Sequence, residues 1–146
     1  MTGRPDVVAE ARRWIGTPYL HQASVLHGGT DCLGLLRGIW RALCGAEPEI
    51  VSAYTMDWSE PSGREDMLGA AKRWLINKPM ADAEPGDVIL FRMREGFVAK
   101  HLGIVAGVGE FSSFVHAYTG HGVVESALST PWARRIAGRF AFPKGA

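Results

Sequence analysis

The chain reads as an α+β protein whose N-terminal helices pack on an antiparallel β-sheet. Two observations predict this. Apolar residues recur at helical spacing only in the first half, and from Val88 onward short apolar or alternating stretches follow one another between glycine-rich turns. Helices first and strands afterwards is not the alternating order of a parallel α/β fold. At 146 residues the chain suits one domain with its own core. No repeat or linker divides it, so 1–146 is read as a single domain.

The elements follow in order. Pro5 suits a first helical turn, with Val7, Val8, Ala11, Trp14 and Ile15 as the apolar face and Gly16 as the stop. Thr17-Pro18-Tyr19 starts an extended segment, because a residue before proline avoids the helical region. His27-Gly28-Gly29 is a flexible approach to a second helix, on which Leu35, Leu36, Ile39, Trp40 and Leu43 recur and Gly45 is the stop. Gly34 and Gly38 leave one flank of that helix bare, which predicts close packing there. Residues 46–61 read as irregular. Ser62-Gly63-Arg64-Glu65 fits a capping box before Met67, Leu68, Ala71, Trp74 and Leu75. Glu84-Pro85-Gly86-Asp87 is a turn. Strands are predicted at Val88–Met93, Phe97–Ala106, Ser112–Tyr118, Gly122–Ser126 and Ile136–Phe142, with a hairpin turn at Arg94-Glu95-Gly96.

Composition excludes some classes. Hydrophobic content of 47% and charged content of 21% are ordinary for a globular protein. A net charge of +1 without a basic run gives nucleic-acid binding no support. The first ten residues lack the apolar stretch of a signal peptide, and no run is long enough to span a membrane. Two cysteines at the ends of one helix would lie roughly 18 Å apart, too far for a disulfide. His21, His27 and His121 have no ligand spacing with each other or with either cysteine, so neither a metal site nor a cofactor is expected.

Thr30-Asp31-Cys32-Leu33-Gly34-Leu35-Leu36 carries the chemistry. Asp31 is a candidate N-cap, and Cys32 then sits in the first turn. There the free N–H groups and the helix dipole favour a thiolate. Cys44, at the opposite end, has the dipole against it and reads as a small buried hydrophobe. Cys32 is therefore expected to be the reactive thiol, its pKa lowered further by a thiolate–imidazolium pair. His101 opens an otherwise apolar strand and is the candidate base. His116, in Phe114-Val115-His116-Ala117-Tyr118, is the candidate third group orienting that base. Both histidines lie on strands and could face the Cys32 helix. Tyr19 reads either as an aromatic plug over the cleft or as a hydroxyl aimed at the nucleophile or the oxyanion. Asp31 and Leu33 flank the nucleophile and are grouped with Tyr19 as oxyanion and substrate-binding candidates.

Gly16-Thr17-Pro18-Tyr19, the Asp31-Cys32-Leu33-Gly34-Leu35 segment, Pro85-Gly86-Asp87, His101-Leu102-Gly103-Ile104 and Val115-His116-Ala117 together resemble the NlpC-type cysteine peptidases of bacterial cell walls. The resemblance runs in order over most of the chain. It implies a papain-like fold, Cys32 as nucleophile, His101 as base, His116 as orienting residue and Tyr19 in the cleft. It also implies a peptidoglycan stem-peptide substrate, commonly cut after D-γ-glutamate. Leu33 stands where the family usually has serine, and Tyr19 to Gly28 departs from the usual aromatic-Gly-Gly pattern. The 46–80 stretch, read as a helical insertion, and the closing Trp132 segment look more like the peptidases of phage tails and gene transfer agents. That subgroup implies hub or tip proteins as partners, docked through 46–80 (Trp58, Trp74) and the region around Trp132, and delivery to the wall by the particle in place of an export signal. A tail subunit that has kept only the fold, an acyltransferase, and a free amidase or endolysin are the alternatives.

Overall fold

The computed structural model describes residues 3–48, 66–93, 96 and 98–144. The helices are α1 (Pro5–Arg13), α2 (Cys32–Leu43), α3 (Asp66–Trp74) and a single turn, α4 (Thr130–Ala133). The strands are β1 (Ser24–Val25), β2 (Gly29–Thr30), β3 (Ile76–Lys78), β4 (Val88–Arg92), β5 (Ala99–Gly107), β6 (Ser113–Tyr118), β7 (Gly122–Ala127) and β8 (Ile136–Ala141). β1 and β2 form a small hairpin, and the rest form one antiparallel sheet in the order β3-β8-β4-β5-β6-β7.

The predicted α+β architecture is the observed one. α2 ends at its expected glycine stop, with Gly45 at φ +91, while Gly16, at φ +93, lies two residues past the cap of α1. Four of the differences have identifiable causes. α1 ends at Arg13, so Ile15 falls beyond the helix and is 41% exposed, while Trp14 is buried. β3 was not expected. Its three residues carry no alternation of their own and are extended because they pair with Lys78↔Arg139 to Ile76↔Ala141 along β8. Trp74, on the apolar face of α3 by its spacing, is 39% exposed; Met67 and Ala71 are the buried residues of that helix. Finally, the described part of the 46–80 stretch is tied into the fold: Met67, Ala71 and Leu75 enter the main core and β3 extends the sheet. The capping box at 62–65, Trp58 and most of the 94–96 turn lie outside the described residues.

Each face of the sheet has its own core. On one, α1, α2 and α3 bring Val7, Ala11, Leu35, Ile39 and Met67 against Val88, Leu90, Leu102, Ile104 and Val115. On the other, Ile89, Phe91, Val105 and Phe114 are covered by Leu128, Trp132 and Ile136. This explains why β4 is buried on both sides and reads as an unbroken apolar run. Burying a side chain of this size stabilises by about 1.5–3 kcal/mol.

The glycine flank of α2 packs as its pattern predicts. A Cβ at Gly38 would collide with the Trp14 ring, and one at Gly34 with the Ala23 carbonyl. At the far end of the sheet, the Pro85-Gly86-Asp87 turn is held by charge. Asp87 accepts from Lys78 Nζ at 2.7 Å, from the Glu84 N–H at 2.8 Å and from Arg139 Nη1 at 3.1 Å. This buried carboxylate locks β3, the turn and β8 together. Its value lies in having every partner present, since a buried charge left alone is strongly destabilising.

Candidate active site

Asp31 caps α2. One carboxylate oxygen accepts from the Gly34 N–H at 2.7 Å, and the other from the Gln22 N–H at 2.7 Å. A cap of this kind contributes about 1 kcal/mol. The second bond also ties the 20–24 loop to the helix start. Asp31 is 2% exposed with both oxygens engaged. It thus acts as a scaffold for the start of α2, where Cys32 sits. Leu33 is half-buried and packs on the main core.

Cys32 opens the first turn of α2 and is buried. Its sulfur lies against the backbone N–H groups of Leu102, Leu33 and Cys32 itself, all of which favour a thiolate. Burial and the nearby Asp31 charge act the other way and win, pushing the thiol up to about 12. This corrects the expected resting thiolate. The helix terminus supplies donors, but an apolar enclosure costs an anion more than they return. Cys44, at the C-cap, is also raised, chiefly by burial, and both cysteines are free.

The histidines sit where the β5–β6 ladder stops. Pairing runs to Ile104↔Val115 and no further, and beyond it the Leu102 N–H meets the Cys32 sulfur. The thiol is therefore held at the peptide joining His101 to Leu102. Both imidazoles pack against the aromatics of the second core, at the place where the β5–β6 pairing has ended. His101 pairs across β4 with Phe91, and His116 is two residues from Phe114, the two aromatics of the second core. His101 Nε2 and His116 Nδ1 are 2.8 Å apart, and His116 Nε2 is 2.9 Å from Ser126 Oγ. With Nε2 engaged, Nδ1 is the His101 nitrogen left to receive a proton. Burial first, then the neighbouring His116, lowers His101 to about 3; burial, with His121 beside it, lowers His116 to about 4. The thiol and both imidazoles are therefore neutral at rest.

Gly103 makes room for the second core beside the histidines. A Cβ there would lie 2.6 Å from Phe114 Cδ2 and 3.4 Å from His116 Cβ. The clash is with the Phe114 ring, so a bare backbone at 103 lets Phe114 pack over β5 with His116 beside it. This gives the His-x-Gly spacing a steric reason.

Tyr19 is half-buried beside the thiol. Burial raises its phenol, the Thr119 side chain bonds to it and lowers it, and charge on Cys32 or Asp31 raises it again. Two residues of this site were missed in the sequence. Trp132 closes an aromatic box, with ring centroids 5.7 Å from His101 and 5.3 Å from His116. In the sequence Trp132 stands out only as part of a docking surface, because a one-turn helix leaves no periodicity. Ser126 was missed because nothing in Glu125-Ser126-Ala127 marks a serine that ends a hydrogen-bond chain. Among the described residues, no cluster of three or more His, Cys, Asp or Glu side chains could hold a metal ion. None of the described helices is long and apolar enough to cross a membrane.

Known proteins carry the same architecture. The NlpC/p60 domain of the peptidoglycan hydrolase SagA superposes with a TM-score of 0.59 at 22% identity, over 94% of this chain and 97% of that one. An NlpC/P60 family protein from Bacillus cereus gives 0.62 at 19% identity, over 92% of this chain and 38% of its own. The fold is that of the NlpC/P60 domains. A Staphylococcus aureus protein of the NLP/P60 family, similar to a lipoprotein, gives 0.58 at 19% identity, over 93% of this chain and 40% of its own. In sequence, the chain is 28% identical over 140 residues to the γ-DL-glutamyl hydrolase of Bacillus subtilis, covering 94% of this chain but 29% of that protein. No protein-family model matches the chain.

Proposed function

We propose that this protein is a cysteine peptidase that cleaves peptidoglycan stem peptides at a γ-glutamyl bond. One observation carries the reading: the Cys32 sulfur, ringed by the N–H groups of Cys32, Leu33 and Leu102, sits at the peptide of a histidine whose Nε2 is held by a second histidine. The hydrolase character of the similar proteins and the γ-glutamyl bond named for the Bacillus subtilis relative support it.

The chemistry follows from the neutral pair. His101 Nδ1 takes the thiol proton as sulfur attacks the scissile carbonyl, so no free thiolate accumulates beforehand. The first-turn N–H groups that surround the sulfur then hold the negative oxygen of the tetrahedral intermediate, with the Tyr19 hydroxyl as a second donor. His101 returns the proton to the leaving amine, and water, activated by the same nitrogen, releases the acyl group.

Delivery by a phage-like tail is the finer part of the proposal. The resemblance to tail-borne peptidases supports it, and Trp74, Ile76 and Met80, exposed at the β3 edge, offer a surface for a tail protein. Incubating the protein and its Cys32→Ala variant with muropeptides, and identifying the cut bond by mass spectrometry, tests the chemistry. Cleavage at γ-glutamyl bonds by the wild type alone is the expected result. Intact muropeptides would leave only the fold. Fractionating particles from producing cells tests the delivery, which fails if the protein never travels with tails.

A further inference from the structure

The chain from the base does not stop at His116. His101 Nε2 meets His116 Nδ1 at 2.8 Å, and His116 Nε2 meets Ser126 Oγ at 2.9 Å. Each contact needs one proton, so two neutral imidazoles leave only two arrangements. In the first, His101 carries its proton on Nε2 and donates to His116 Nδ1, while His116 carries its own on Nε2 and donates to Ser126. His101 Nδ1 is then a free lone pair. In the second, Ser126 donates to His116 Nε2, His116 donates from Nδ1 to His101 Nε2, and His101 Nδ1 carries a proton. That His101 cannot act as the base.

We infer that Ser126 is a positioning residue: by accepting from His116 Nε2 it sets the proton direction along the chain and keeps His101 Nδ1 free to take the thiol proton. The inference rests on the proposed thiol chemistry, but its geometric basis is independent of any substrate. Ser126 lies on β7 and is diagonal to His116, whose direct partner there is Val124. Around the imidazoles stand Phe91, Phe114, Tyr118 and Trp132. Of the bonds made by the side-chain nitrogen His116 Nε2, the one to Ser126 is the one the structure records. His116 is 1% exposed, so an N–H there cannot turn to bulk water. Removing the hydroxyl leaves the first arrangement with a buried, unpaired N–H, which folded proteins rarely tolerate. The second arrangement leaves only an unpaired lone pair. The balance then moves toward the tautomer that cannot act. Ser126 touches neither the thiol nor a substrate, so its effect is exerted through His116.

The test combines ring-nitrogen NMR with kinetics on wild type, Ser126→Ala and Ser126→Thr. In the wild type, long-range ¹⁵N–¹H spectra should show both imidazoles protonated at Nε2 and bare at Nδ1. Ser126→Ala should shift both rings toward the Nδ1-protonated form. Its kcat should fall about tenfold, the worth of one hydrogen bond, with KM unchanged. Ser126→Thr, which restores a hydroxyl on a half-buried edge strand, should recover both the spectrum and the rate. Wild-type rings protonated at Nδ1, or Ser126→Ala rings unchanged, would overturn the inference. If the protein cleaves no muropeptide, the proposed function fails, and the NMR outcome still decides the role of Ser126.

Discussion

Acid should unfold this protein through its two buried histidines. The imidazoles of His101 and His116 are held neutral, at about 3 and about 4, against an ordinary 6.5. In the unfolded chain both take up protons as pH falls through 6.5; in the folded protein neither does until far lower. The unfolded state therefore binds more protons throughout this window, and stability drops as pH falls. At pH 5.5 each histidine is about nine-tenths protonated when unfolded, and each proton is worth about 1.4 kcal/mol per pH unit. The pair thus gives a slope of about 2.5 kcal/mol per pH unit, and a loss of about 5 kcal/mol between pH 7 and pH 4.5. That is comparable to the whole stability of many domains. The lowered carboxyls Asp6, Glu47 and Glu125 act in the same direction but below the histidine window. Urea unfolding at steps between pH 5 and 7 measures the slope directly. His116→Asn removes one titrating ring while its amide can still accept from His101, so the slope should fall by half or more. A wild-type slope under about 1 kcal/mol per unit, or the same slope in His116→Asn, would refute the assignment of two buried neutral imidazoles.

Other outcomes are expected from the same geometry. His101→Ala should lower turnover by about 10²–10⁴-fold, and His116→Ala by less, since it orients and does not transfer; equal losses measured on one muropeptide would contradict this division. Gly103→Ala drives a methyl into Phe114, so it should cost about 1–3 kcal/mol in unfolding experiments and lower turnover by parting His116 from His101; full activity would show that the contact is dispensable. With Cys32 raised by burial and Asp31, its alkylation rate should still be climbing at pH 9. Asp31→Asn should shift that curve to lower pH while costing up to about 1 kcal/mol of cap, and an unmoved curve would remove Asp31 from the thiol's electrostatics. Turnover should show no titration near 6.5 before acid unfolding begins, and a rate rising through that pH would indicate an exposed imidazole.

Periodicity exposed what periodicity can carry. α2, its Asp31 cap and its glycine flank are legible because all three are local, and so are the strands that alternate or run apolar. β3 and α4 are not, since their shape comes from partners distant in sequence. The site divides in the same way. Cys32, His101 and His116 stood out as chemistry-bearing types in informative settings. Ser126 and Trp132 are ordinary residues that gain a role only by lying across the sheet from the histidines. The charge state of the thiol is not legible for a related reason: a helix terminus is visible in the sequence, but the depth at which it is buried is not.

The end of the β5–β6 ladder at Ile104↔Val115 has a consequence for how this protein becomes competent. Strand pairing can assemble the sheet, yet past that point the Leu102 N–H belongs to a sulfur carried by another element. Sheet and site are therefore separable. An expanded state that keeps its backbone ladders but loosens α2 would show native-like secondary structure and no nucleophile in place. Far-ultraviolet circular dichroism would then overstate the working fraction, and the Leu102 amide, through its hydrogen exchange, would count it correctly. The chain's readiness is written in one backbone proton at the seam between a helix and a parted strand pair.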